Sequence, residues 1–545
     1  MGTNTMSLCG RNWQAISPDL TLHDPATLGP VGGPITRDMT GTEWYATVFT
    51  FAESPVKAGV LWAGSDDGLV HVSQDAGATW QDATPKGLAK FTRMSILEPS
   101  HFAAGAAYLA ANRYQQDDFQ PYLFKTTDYG KTWTRITAGI PAGAYTRVIR
   151  EDPVRRGLLF AGTETGIYVS FDDGARWQSL QLNLPRSSVR DIAIHESDLI
   201  VATHGRAFWV LDDISPLRQL SDQVRGASAH LFTPEPAVRF AGSRDERPAT
   251  GENPFPGVAV TYYLKDKPAP APAPAPQGEV MLAFLDSAGA VIRTFSSKPD
   301  TSKKPVAAED SATYAPSDSI VPARAGTNRF VWNLRYPPAK KVKDVVLDEG
   351  IIEGPVAPPG RYSVKLTVAG QSYTQPFTVV NDPRVQTSLA DLAAQHALAR
   401  RIHDRIDTLV AAVERIEQAE QQLASWTEWT KGRAEAPRIK AQADSLKGKL
   451  EAVRGRLTEP HAHADESTLH WPIQIYNQLL SLNAMVQSAD AAPTKQEQEV
   501  FQELSDRLDK QLAQLGDLET TELAAFNRML RDFNVPAVGA GGGKR

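Results

Sequence analysis

The 545-residue sequence predicts a multidomain chain, mainly β with a helical C-terminus: a partial β-propeller, then an immunoglobulin- or fibronectin-like β-sandwich, then an α-helical hairpin or bundle. Three observations predict it. An eight-residue pattern recurs three times early in the chain, strand-like runs follow to about residue 385, and beyond that the apolar period switches from two to three or four. Length agrees, because a chain of this size divides into several domains.

The first element, 1–222, rests on the repeats SQDAGATW (73–80), TTDYGKTW (126–133) and SFDDGARW (170–177). Their aspartates are 53 and 44 residues apart, and several short strand-like runs fill each interval. A period in the forties with short strands is what a propeller blade requires. A fourth unit, 191–213, keeps the strand pattern and has lost the eight-residue box. The second element, 223–385, carries VAVTYYL (258–264), EVMLAFLD (279–286), RFVWNLRYP (329–337) and a hairpin over 361–380. A Pro-Ala insertion at 268–276 reads as a stiff, solvated segment between two of these strands. In the third, 386–535, Leu392, Leu398, Ile402, Ile406, Leu409, Val413 and Ile416 fall at helical spacing, with further helices over 434–458, roughly 468–488 and 494–532. The Gly-rich tail 536–545 is expected to be disordered.

Composition narrows function. A net charge of −6 and a pI of about 6.0 give no reason to expect a nucleic acid or an anionic membrane as partner, and no apolar run is long enough to span a bilayer. One cysteine, Cys9, leaves no internal disulfide and no cysteine-rich metal site. HAHADES (461–467) sets two histidines and an aspartate at alternate positions without a fourth ligand nearby, so it reads as a solvated loop. No cofactor and no metal are expected. The first residues show no secretory signal pattern.

The boxes read as turn staples. An Asp carboxylate accepts backbone N–H bonds across a tight turn, Ser or Thr adds a local bond, Gly takes a conformation that a Cβ resists, and Trp lays an apolar face beneath. The residues concerned are Ser73, Asp75, Gly77 and Trp80; Thr126, Asp128, Gly130 and Trp133; Ser170, Asp172, Gly174 and Trp177. Three copies of one local chemistry suit a repeated fold better than a repeated catalytic centre.

This pattern resembles the Asp-box, or BNR repeat, of sialidases, sortilin-type propellers and xyloglucanase-like hydrolases. With ISPDLT (16–21), GGPIT (32–36) and VATHGRAFWVLDD (201–213), the chain is similar to bacterial BNR-repeat proteins labelled glycosyl hydrolase or sortilin N-terminal domain-containing. The resemblance implies an extracytoplasmic (periplasmic or secreted) location and boxes between the third and fourth strands of each blade, away from any active site. Members usually begin with a secretory signal and a longer propeller region. Gly10 and Trp13 repeat the box's Gly–Trp spacing, with Leu8 at the Asp position, so the chain is expected to begin mid-blade and to lack an N-terminal propeller half. If the chain is complete, it is expected in the cytoplasm.

Boxes on one side direct attention to the turns between strands two and three. These hold Asp66 and Asp67, then Arg113, Tyr114, Asp117 and Asp118, then Glu164, then His204 and Arg206. Asp66, Asp67, Asp117 and Glu164 are the candidate acid–base carboxylates, and Arg113, Tyr114, Asp118, His204 and Arg206 the candidate ligand contacts. The expected function is a non-enzymatic scaffold binding a protein or carbohydrate ligand on this side, with the helical C-terminus allowing oligomerisation. The alternative is a glycoside hydrolase of sialidase or xyloglucanase type whose site is incomplete in this chain.

Overall fold

A computed structural model describes residues 5–8, 12–25, 46–240, 257–267, 278–298, 320–343, 345, 350–462, 467 and 469–533. Cys9, Gly10, GGPIT, the Pro-Ala insertion, most of HAHADES and the tail lie outside the described residues. The chain divides into two compact units, Met1–Leu220 and Ser221–Arg545.

The first unit begins with a two-stranded antiparallel pair, β1 (Thr5–Leu8) and β2 (Asn12–Ala15). Three four-stranded antiparallel meanders follow. They are β3 (Val48–Glu53), β4 (Leu61–Ser65), β5 (Val70–Ser73), β6 (Gln81–Asp82); β7 (Arg93–Pro99), β8 (Ala107–Arg113), β9 (Asp118–Thr126), β10 (Thr134–Arg135); and β11 (Thr146–Glu151), β12 (Leu159–Thr163), β13 (Gly166–Ser170), β14 (Gln178–Ser179). A last sheet has three strands, β15 (Val189–His195), β16 (Asp198–Thr203) and β17 (Phe208–Leu211), and a short helix, α1 (Ser215–Gln219), ends the unit. The arrangement is propeller-like: each sheet packs its faces on its neighbours through a separate apolar core. Trp62 and Val70 meet Leu97 in the first core, Tyr108 and Leu123 meet Ile149 in the second, and Phe160 and Ile167 meet Ile192 in the third.

Every first strand carries a bulge at the same register. The ladder slips between Val48 and Thr50, Met94 and Ile96, Thr146 and Val148, and Val189 and Asp191. One residue is therefore left unpaired in each strand: Phe49, Ser95, Arg147 and Arg190. An extra residue in one strand re-aims its side chain and sharpens the local twist.

The boxes lie between third and fourth strands and repeat the same bonds, with one exception in the third copy. Ser73 Oγ donates to Asp75 Oδ1 (2.8 Å), and Gly77 N–H donates back to Ser73 Oγ (2.8 Å). Thr79 gives Asp75 its backbone N–H (2.8 Å) and its hydroxyl (2.6 Å). Asp128 takes the same bonds from Thr126 and Thr132. Asp172 takes a bond from Ser170 and the backbone N–H of Arg176, which brings no hydroxyl. Each indole then reaches the preceding sheet: Trp80 Nε1 donates to Ile16 O (2.9 Å), Trp133 to Ala83 O (2.7 Å) and Trp177 to Ile136 O (2.6 Å). The box glycines touch those same three residues. A Cβ on Gly77 would lie 2.7 Å from Ile16 O, one on Gly130 2.5 Å from Ala83 Cβ, and one on Gly174 2.6 Å from Ile136 Cδ1. Glycine is required twice over, for its left-handed backbone and for contact between sheets.

The second unit opens with α2 (Asp222–Gly226) and holds two sheets. One orders β18 (Ala229–Leu231), β20 (Val258–Leu264) and β23 (Gly326–Trp332); the other orders β19 (Ala237–Arg239), β25 (Gln371–Asn381), β24 (Gly360–Val368), β21 (Val280–Leu285) and β22 (Val291–Ser296). Tyr262, Leu282, Phe284, Trp332, Val364 and Phe377 fill their common core. Helices α3 (Leu389–Trp429), α4 (Ala436–Leu457), α5 (Ile475–Val486) and α6 (Lys495–Asp517) follow; a π-helical turn, Leu518–Leu523, joins α6 to α7 (Ala524–Asp532). Ser388 caps α3, and Thr494 with Glu497 closes a capping box on α6. A polar seam ties sheets to helices: Arg239 of β19 pairs with Asp490, and Gln395 of α3 donates to Val486 O (2.7 Å).

His396 sits beside this seam with Nδ1–H donating to Val356 O (3.0 Å). Burial pushes its pKa down to about 4, and Arg400 and Arg239 add to the effect. An unfolded histidine titrates near 6.5, so below that pH the unfolded chain binds a proton that the folded chain refuses until about pH 4. Stability therefore falls on acidification through this window. His396→Gln should remove about 3 kcal/mol of that fall, read as flatter urea-unfolding midpoints between pH 6.5 and 4. In the first unit, Trp177→Ala should cost about 3–5 kcal/mol, whereas Trp177→Phe, which keeps most apolar area and loses the Ile136 bond, should cost about 1–2 kcal/mol in the same assay.

Candidate functional site

Antiparallel meanders fix which loops share an end. The boxes join third to fourth strands, and the connections between first and second strands lie beside them, as the Ala76 N–H to Gly59 O bond (2.9 Å) records. The turns between second and third strands, and the starts of the first strands, lie at the opposite end. The four bulges are at that end too.

Most of the carboxylates here hold the loops. Asp67 is buried and accepts Leu22 N–H (2.8 Å), His23 N–H (3.2 Å) and the Ser65 hydroxyl (2.6 Å). Asp66 accepts Thr47 N–H (3.0 Å). Burial, with the Asp67 charge beside it, holds the Asp66 carboxyl above its ordinary range. Asp118 accepts the Tyr122 hydroxyl (2.6 Å) and pairs with Arg113 Nε (3.3 Å). Burial opposes its ionisation, but these bonds and Gln120 N–H outweigh burial and lower its pKa. Arg113 also donates to Lys90 O and Thr92 Oγ1, each at 3.0 Å, which pins the loop ahead of β7. Asp117 has a left-handed backbone (φ 56°) at the end of the Tyr114–Gln116 turn. Glu164 accepts from Arg147 Nε and the Ser188 hydroxyl, each at 2.7 Å. Burial would raise its pKa, but the Ser188 and Arg147 bonds hold it below the usual range. His204 Nδ1 lies 2.6 Å from Arg190 Nη2 and accepts from it, because a guanidinium only donates. Arg206 contributes its carbonyl to Trp209 Nε1 (2.8 Å).

The structure thus joins Tyr114, Glu164 and His204 to residues that the turn pattern alone does not single out. Tyr114 stacks on Tyr145 at 5.1 Å, and the Arg147 guanidinium lies 5.0 and 4.9 Å from the two rings. Arg93 lies 4.9 Å from the Phe49 ring and donates to the Tyr114 hydroxyl (3.4 Å), while its buried Nε has no partner among the described residues. Phe119 flanks Tyr145 at 6.0 Å. Among the described residues, neither Arg93 nor Arg190 has a carboxylate within ion-pair distance, whereas Arg147 has Glu164 at 2.7 Å. The available sequence signal was an arginine at the first or second residue of the first strand in three consecutive units: Arg93, Arg147 and Arg190.

No family model and no curated protein matches the chain. Solved structures do. YCF48 from Cyanidioschyzon merolae is 20% identical over 31% of this chain and 53% of its own, with a TM-score of 0.24. An ancestral GH74 enzyme is 15% identical over 46% of this chain and 33% of its own, TM-score 0.26. The extracellular domain of BT4673 from B. thetaiotaomicron is 10% identical over 61% of this chain and 44% of its own, TM-score 0.23. The chain spans about half the length of YCF48. Among the described residues, no group of three His, Cys, Asp or Glu could hold a metal ion, and no helix is long and apolar enough to cross a membrane.

Asp67→Asn separates a structural carboxylate from a chemical one. The amide has one acceptor oxygen where the carboxylate has two, and turns an NH2 toward groups that donate. Thermal unfolding should show a loss of about 1–3 kcal/mol.

Proposed function

We propose that the first unit is a non-enzymatic binding scaffold that takes a protein or glycan ligand bearing an anionic group, at the sheet ends opposite the boxes. The observation that carries this reading is the division of labour among the charges there. Asp66, Asp67, Asp118 and Glu164 are engaged by backbone N–H groups, hydroxyls or arginines of this chain, while Arg93 and Arg190 form no close ion pair among the described residues, Arg93 acting on Asp66 only at longer range. A guanidinium between aromatic rings binds an oxyanion with two parallel donors and loses little freedom in doing so. Arg113, Tyr114, Asp117, His204 and Arg206 lie around this end and complete the proposed surface. By the resemblance of its boxes to BNR repeats, the protein works outside the cytoplasm.

One observation favours a second reading, a glycoside hydrolase. Burial raises the Asp66 pKa, as a general acid requires. The two readings separate in one set of experiments. Calorimetric titration with polyglutamate and polygalacturonate, and with neutral dextran as control, should show binding of an anionic probe alone. Arg93→Gln and Arg190→Gln should each weaken it about tenfold, the loss expected for one charge-assisted contact. Asp66→Asn should leave it unchanged. Hydrolysis of a glycan panel that disappears in Asp66→Asn would replace this reading with the hydrolase.

A further inference from the structure

The repeating interface of the first unit is left half-made at both ends. Phe51, Leu97, Ile149 and Ile192 hold one register position, two residues past the bulge and opposite Ala63, Leu109, Ala161 and Val201. The last three are buried against the preceding sheet, but Phe51 is 47% exposed. On the other face, Ile167 and Phe208 are equivalent, as are Val169 and Val210, by their pairing with Gly162, Ala202, Phe160 and Ile200. Ile167 and Val169 are buried in the third core, whereas Phe208 is 76% and Val210 53% exposed.

The strand count is complementary as well. The last sheet stops at its third strand, β17, where the three sheets before it have a fourth. The β2 strand is a fourth strand in all but its sheet: Ile16, just beyond it, receives the Trp80 indole as Ala83 and Ile136 receive those of Trp133 and Trp177. Nothing in FWVL blocks an added strand, since it has no proline, charge or bulge.

We propose that a second copy of this chain completes both ends. The β15–β16–β17 sheet of one copy packs on the Phe51 face of the other, and β17 takes the place that β1 holds beside β2, so that β2 becomes its fourth strand. The exchange is reciprocal. Four sheets from each of two copies then close as one ring of eight, within the range of about four to eight blades that closed propellers have. A head-to-tail contact that closes on itself gives a finite dimer and not a filament.

Sedimentation of the full chain tests this. Wild type should run at twice 59.4 kDa, and Phe51→Lys and Phe208→Lys should each run at 59.4 kDa with unchanged far-UV circular-dichroism spectra, because both side chains are exposed in the single chain. Mixing the two variants should restore the dimer, since Phe208 of one chain and Phe51 of the other still form one intact contact. A wild-type monomer at micromolar concentration would overturn the proposal. So would a dimer that survives both substitutions, or a mixture that stays monomeric, which would mean that the two faces do not meet each other.

Discussion

The hydrogen bond from each box indole to a carbonyl of the sheet before it is the constraint on which the first unit depends. The bond fixes the distance between neighbouring sheets at one edge, and the box glycine lets their backbones approach closely there. The aspartate's part is indirect. By gathering the N–H and hydroxyl groups of its own turn, it holds the tryptophan at the angle from which the indole can reach across. Sheets held at one edge leave the other edge to polar loops, and that is where the bulges, arginines and aromatic rings collect.

At that second edge, charge is organised by a simple asymmetry. Carboxylates are short and sit close to backbone, so they are consumed by N–H groups that would otherwise be buried without partners, as Asp67 is by Leu22 and His23. Guanidiniums are long and leave the backbone behind. Arg93 extends over Phe49 toward Tyr114, and Arg147 over Tyr114 and Tyr145, so these guanidiniums are held by aromatic rings where the carboxylates are held by backbone.

The boxes were legible in the sequence because their chemistry is local: eight consecutive residues contain nearly every bond that matters. The long helix was legible for the same reason, since Leu392 to Ile416 repeat at the helical period and all lie buried in α3. Turn residues such as Tyr114, Glu164 and His204 could be picked by position. Their partners could not. Arg147 and Arg190 sit in first strands at bulges, and a bulge breaks the alternation by which a strand's inward and outward residues are told apart. Phe49 and Phe51 read as ordinary strand hydrophobics, and only packing reveals that both stand exposed. The tie between sheets and helices in the second unit was equally silent, because Arg239 and Asp490 are 251 residues apart.

The bulges have one more consequence. A residue in a regular strand serves two masters, its face and its pair, and changing it disturbs a core. The inserted residue has no pair in the ladder, and phenylalanine, serine and two arginines occupy this one structural position in four sheets. Such positions act as interchangeable sockets on a constant chassis. The side chains at this end of the molecule can change one sheet at a time, with the stapled edge indifferent to what each socket holds.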